Sequence, residues 1–198
     1  TDWQEWIRGR HADSIAAEAH IVMAHARTQR TASILLDQYA GALGRAIAEV
    51  KRLLAAGEDA AARTQVHALL ARAELGRHLT RPWRVVLAGH PNAGKSSLLN
   101  AMLGYERAIV HSTSGTTRDV LSATTAIDGW PVELIDTAGL SPPGHGPRNE
   151  SVLNRGIALG KEQMDASDLL VLVFDRSVPF SDEHQSWLHD WPHALRVD

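Results

Sequence analysis

Cysteine is absent from the 198 residues, which removes disulfides, thiolate metal sites and cysteine nucleophiles together. A reducing cytoplasm is the expected setting. No run of eighteen apolar residues occurs, and no signal-peptide pattern opens the chain, so neither a membrane span nor export is expected. Excess charge of one sign is also missing. A net charge of −3 and a pI near 6.4 advertise neither a nucleic acid nor a membrane surface as partner. Proline does not occur before Pro82. The chain opens at Thr1 and stops at Arg196-Val197-Asp198, which reads as the start of a strand. We expect it to be part of a longer protein.

What is present begins with an ordinary 44% of apolar residues, which fits a globular chain. Composition shifts at Pro82, from Ala, Leu, Arg, Glu and Gln to strands, glycines and prolines. Residues 1–81 are therefore expected to form a helical, bundle-like domain and residues 82–198 a second domain. In the first, Leu36, Tyr39, Leu43, Ile47, Val50 and Leu54 recur at steps of three and four, one stripe along a helix. Ile15, Ala19, Val22 and Ala26 make an earlier stripe, and Val66, Leu69, Ala73 and Leu79 suggest a later helix after a break at Gly57-Glu58-Asp59. Antiparallel helices follow, with no residues that carry chemistry.

The second part alternates strands and helices. Residues 84–88 read as a buried strand, 95–103 as a helix closed by Gly104, and 120–127 and 132–135 as strands joined by Asp128-Gly129, a hairpin signal. A helix is expected from Glu150 or Ser151 to Ala166, a strand over 169–174 and a helix over 182–191. The fold class is α/β, a three-layer sheet preceded by an all-α segment.

Gly89-His90-Pro91-Asn92-Ala93-Gly94-Lys95-Ser96 fits G-x-x-x-x-G-K-[ST], between a strand and a helix. Glycine lets the backbone curl around phosphate, and successive N–H groups form an anion nest at the positive end of a helix dipole. Lys95 then reaches the β- and γ-phosphates, and the Ser96 hydroxyl binds Mg²⁺. The surface expected against the nucleotide runs over Asn92, Ala93, Gly94, Lys95, Ser96 and Ser97. Asp136-Thr137-Ala138-Gly139 follows a strand forty residues on, where Asp136 would hold Mg²⁺ through water and the Gly139 amide would sense the γ-phosphate. Between them lies the polar loop Gly115-Thr116-Thr117-Arg118-Asp119, the composition of a switch.

Residues 89–100, 115–120 and 136–140, with Arg107-Ala108-Ile109-Val110 and Asn154-Arg155-Gly156-Ile157, resemble the TrmE/MnmE group of tRNA-modification GTPases, relatives of the Era GTPases. The resemblance covers about residues 84–175; Ala32-Ser33-Ile34-Leu35-Leu36 is loosely similar to that group's helical domain. It implies a P-loop G domain over residues 82–198, cut before the guanine-specificity motif. It further implies GTP and GDP as ligands, Thr116 beside the nucleotide, Thr117 as the switch Mg²⁺ ligand, and Asn92 as ligand of a K⁺ that stands in for an arginine finger. Family members meet G domain to G domain around that K⁺, which offsets charge developing between the phosphates. A homodimer and a tRNA-modification partner, protein or RNA, are implied as well.

The chain departs from the group at three places. His111-Ser112-Thr113-Ser114 stands where the family begins with Thr-Asp, the position of the family's catalytic Glu falls on Leu153, and no Asn-Lys-x-Asp appears. Glu150, one helical turn away, is the nearest acid and the candidate to orient the water. The leading reading is a K⁺-assisted, Mg²⁺-dependent GTPase. A hydrolysis-impaired GTP-binding module whose helices recruit a partner, or an ATP-consuming P-loop protein, remain open alternatives. His184, His189 and His193 read as surface histidines, as do His20 and His25. Trp187 and Trp191 read as packing residues, Asp165 and Asp168 as a helix-to-strand turn, and His90 as a neighbour of phosphate that could modulate it, at a position that in the resembled family usually does no chemistry.

Overall fold

The computed structural model describes residues 2–11, 13–90, 92–105, 121–136 and 161–198. Among these the chain folds as two compact units, residues 1–82 with Asp128–Pro131 and residues 83–127 with 132–198.

The first unit is helical: α1 (Trp3–Arg10), α2 (Ser14–Met23), α3 (Gln29–Tyr39), α4 (Ala42–Ala55), α5 (Asp59–Leu70) and α6 (Ala73–Arg77). Side-chain oxygens cap the first three. Asp2 accepts from the Gln4 N–H, Asp13 from that of Ile15, and Thr28 from that of Thr31. The long stripe expected on one helix is split between two. Gly41 takes φ +89°, a left-handed conformation that ends one helix and starts the next without breaking the apolar period. The core is made largely of other residues: Ile7, Ala17 and Ile21 cluster, and Leu35, Leu53 and Ala62 are also buried. His20 is half-buried and lies 3.2 Å from a ring nitrogen of His11, so it does not belong to a solvated face, whereas His25 does. The turn at Asp128 belongs with this unit: Arg30 Nη1 pairs with Asp128 Oδ2 at 2.6 Å.

The second unit is built on β1 (Trp83–Ala88), α7 (Lys95–Tyr105), β2 (Leu121–Ile127), β3 (Trp130–Asp136), β4 (Leu169–Val173), α8 (Asp182–Asp190) and β5 (Leu195–Val197). The sheet order is β2-β3-β1-β4-β5, with β1 parallel to both β3 and β4, and β4 parallel to β5. The two-residue turn Asp128-Gly129 joins β2 to β3, a connection open only to antiparallel neighbours. Both turn residues have positive φ, +48° and +73°, which is what the Asp-Gly pair supplies. The α7 helix continues through Gly104 to Tyr105, so that glycine is not the stop expected of it.

Alternation along β1 sorts the core into two layers. Val85 and Leu87 pack with Val132, Leu134, Val171 and Leu99 on the α7 side. Val86 and Ala88 pack with Ile135, Leu170, Leu172 and Phe174 on the other, where Trp187 and Leu188 of α8 and Trp191 just beyond it close over them. Helix, sheet and helix make the three layers. Asp168 serves the turn into β4, its carboxylate accepting from the Arg84 N–H at 2.7 Å, whereas Asp165 lies at the end of the preceding helix and accepts from the Trp191 indole at 3.1 Å.

Candidate functional site

The site forms where the carboxyl ends of β1 and β3 lie side by side, Leu87 in register with Asp136. In an open parallel sheet this is where ligands bind, because strand connections diverge to either side of the central strand. The chain leaves β1 through Gly89, whose φ is +153°; a Cβ there would stand 2.2 Å from the Val173 carbonyl oxygen of β4. No side chain fits that approach. Asn92 takes φ +66° and Gly94 +97°, so the loop turns through left-handed conformations that glycine and asparagine tolerate best. The Leu98 N–H then donates to the Gly94 carbonyl at 2.9 Å, and α7 begins.

Lys95 is 3% exposed, and its ammonium donates to the carbonyls of Gly89 at 2.8 Å and His90 at 2.7 Å. Burial holds its pKa below the usual 10.5, and the Asp136 carboxylate offsets part of that shift by favouring the charged form. Asp136, 1% exposed at the end of β3, accepts a 2.6 Å hydrogen bond from the Ser96 hydroxyl. Asn92, Gly94, Ser96 and Ser97 are exposed and Ala93 is half-buried, so the loop presents an open polar face beside a buried cation. Such an arrangement attracts a polyanion and supplies hard oxygen donors for a divalent cation.

The structure thus brings together Asn92, Ala93, Gly94, Lys95, Ser96, Ser97 and Asp136. Thr116, Thr117, Gly139 and Glu150 lie outside the described residues, as do Leu153 and most of the helix expected over 150–166. Among the described residues no three His, Cys, Asp or Glu side chains form a metal-binding group, and no helix is long and apolar enough to cross a membrane. His189 and His193 are exposed, but His184 is 6% exposed and is not a surface histidine. Its Nδ1 caps α8 by accepting from the Ser181 N–H at 2.9 Å, which draws the ring inward. Sequence reasoning missed its neighbour too: the His90 ring stacks on Trp187. The three-residue step from His184 to Trp187, which places both on one face of a helix, was the available signal.

Residues 84–195 match the family described as 50S ribosome-binding GTPase. A tRNA modification GTPase MnmE of Geotalea uraniireducens is 34% identical over 92% of this chain and 44% of its own length. The MnmE of Pediococcus pentosaceus is 30% identical over 97% of this chain and 46% of its own. That of Acinetobacter baumannii is 45% identical over 63% of this chain and 26% of its own. The chain spans less than half the length of these relatives. With its P-loop, buried lysine and Ser96–Asp136 pair inside the matched region, the chain belongs to this family of GTPases and is similar to its MnmE members.

Proposed function

We propose that the chain binds GTP and GDP along residues 92–97 and turns GTP over as a Mg²⁺-dependent, K⁺-assisted switch of the TrmE/MnmE kind. The observation that carries this reading is the buried Lys95 ammonium, aimed by two P-loop carbonyls beside the Ser96–Asp136 pair. In this role Lys95 and the loop amides take the phosphates, a place where a buried positive charge is stabilised by the ligand it binds.

The donor set fits Mg²⁺, since the Ser96 hydroxyl and Asp136 carboxylate are hard oxygens already within 2.6 Å of each other. Bound there, Mg²⁺ supplies charge that neutralises the β- and γ-phosphate oxygens. Thr117 is assigned as the further ligand from the switch loop, Thr116 as its neighbour at the nucleotide, Gly139 as the amide that senses the γ-phosphate, and Glu150 as the group that orients water. Asn92 is assigned to K⁺: its amide oxygen is a neutral hard donor on an exposed, left-handed turn of the loop. By likeness to relatives named tRNA modification GTPases, we extend the reading to a cytoplasmic role in tRNA modification, with a G-domain homodimer and a protein or RNA partner. Leu153 at the family's Glu position favours a second reading, a G domain that holds GTP but hydrolyses it poorly.

Competition of GTP, GDP and ATP for the site, followed by single-turnover hydrolysis in KCl against NaCl, tests both. Guanine-selective binding with turnover stimulated by K⁺ supports the switch. Selective binding without turnover in either salt moves the conclusion to the binding module, and equal binding of ATP overturns the guanine assignment.

A further inference from the structure

The functional reading leaves unused a group of rings behind the P-loop. His90, its second residue, is half-buried, and its imidazole stacks on the Trp187 indole with centroids 4.9 Å apart and planes 25° from parallel. The His184 ring meets it edge-on at 4.8 Å and 89°. His184 is itself fixed. Its Nδ1 accepts from the Ser181 backbone N–H at 2.9 Å. Phe174 and Phe180 stand against it at 5.2 and 5.1 Å. The backbone of His90 is equally engaged. Its carbonyl accepts from the Lys95 ammonium at 2.7 Å and from the Ala93 N–H at 3.2 Å.

We propose that His90 is a positioning residue, its ring clamped by Trp187 and His184 of α8 so that its carbonyl aims the Lys95 ammonium at the phosphates. The proposal rests on the assignment of Lys95 as the phosphate-binding cation. A lysine ends in a compact charge on a flexible four-carbon stem, so its direction is set by what accepts its protons. Here the acceptors are the carbonyls of Gly89, which has no side chain to anchor it, and of His90, which has one. Two aromatic contacts on that one side chain supply the anchor from a helix of the scaffold. A hollow of ≈ 210 Å³, lined by His90, Ala93, Val173, Asp175 and His184, leaves the imidazole room to swing once the clamp is lost. Small misplacement of a group that meets phosphate is costly, up to about 100-fold for roughly 1 Å.

The test uses the full chain and the variants His90→Ala, His90→Phe, Trp187→Ala and the double variant His90→Ala/Trp187→Ala. Lys95 is one of three lysines, with Lys51 and Lys161, so its side-chain methylene resonance in ¹³C-lysine protein can be assigned by its loss in Lys95→Ala. At fixed pH that resonance should move in His90→Ala and Trp187→Ala, stay in His90→Phe, and leave Lys51 and Lys161 unmoved. Single-turnover GTP hydrolysis should fall about tenfold in either alanine variant, no further in the double, and recover at least half with phenylalanine. A Lys95 resonance unmoved in His90→Ala, or losses that multiply in the double variant, overturns the clamp. Absence of GTP turnover in the unsubstituted chain, with the resonance shifts as expected, sinks the hydrolytic reading and leaves the positioning intact.

Discussion

In the sheet unit Leu87, Leu134 and Leu172 are shut off from solvent, whereas in the helical unit Leu36, Leu54 and Leu70 are more than half exposed. The residue type is the same and the packing is opposite. Strands of the central sheet are covered on both faces, so the buried apolar side chains of β1, β3 and β4 fill one of two layers. The helices bury a mixture of small and medium side chains, among them Ala17, Ala19 and Ala62, and leave several leucines outside. The P-loop thus grows from the part of the molecule whose shape is fixed by dense packing, the kind of support a site needs to hold its geometry.

The contrast is sharpest in stability. Leu134→Ala should cost about 2–5 kcal/mol in urea unfolding, because it opens a cavity in a closed layer. Leu54→Ala should stay within about 0.5 kcal/mol of the unsubstituted chain. Equal losses would mean that the exposed leucine is packed in solution and would erase the distinction.

Function should divide the same way. Lys95→Ala is expected to weaken GTP binding by about 100-fold, the loss of a charge-assisted contact to phosphate, while Leu54→Ala leaves it unchanged in the same displacement assay. The pH dependence follows from the same lysine. Its pKa in the free protein lies below 10.5 because burial disfavours the ammonium, and phosphate beside it raises that value on binding. GTP affinity should therefore be complete below the lowered pKa and fall as pH climbs through it, by up to about tenfold per unit. For stability the sign reverses. The unfolded chain binds the extra proton between the two pKa values, so the cost of burying the ammonium is relieved as pH rises. Affinity measured from about pH 7 to about pH 10 should lose this slope in Lys95→Ala.

A loss smaller than that of Leu134→Ala is expected at the turn Asp128-Gly129, which sits in the chain between two sheet strands yet belongs to the helical unit by its contacts. Gly129 has φ +73°, and a Cβ would stand 3.0 Å from Arg30 Cβ. Gly129→Ala should cost about 1 kcal/mol in thermal unfolding, mostly backbone strain.

Much of the sheet unit could be read beforehand because its signals are local. The P-loop pattern, the Asp-Gly turn and the unbroken apolar strands each occupy a few consecutive residues with one physical meaning. The approach of Asp136 to Ser96 was foreshadowed only by motif order; the register of β1 and β3 realises it. The helical unit was legible in kind and not in detail. Its apolar stripe runs in phase through Gly41, so periodicity alone could not show the break between α3 and α4. Contacts between distant side chains were out of reach as well. Nothing local to His90 indicates an indole 97 positions later, and His184 looked like a surface residue until its capping bond to Ser181 turned it inward.

The most direct test of the account is calorimetric titration of Mg²⁺·GTP onto the unsubstituted chain and onto Lys95→Ala. The account predicts saturable one-to-one binding that the substitution removes or weakens about 100-fold. Binding of equal strength in both proteins, or none in the unsubstituted chain, would contradict the placement of the nucleotide on this loop.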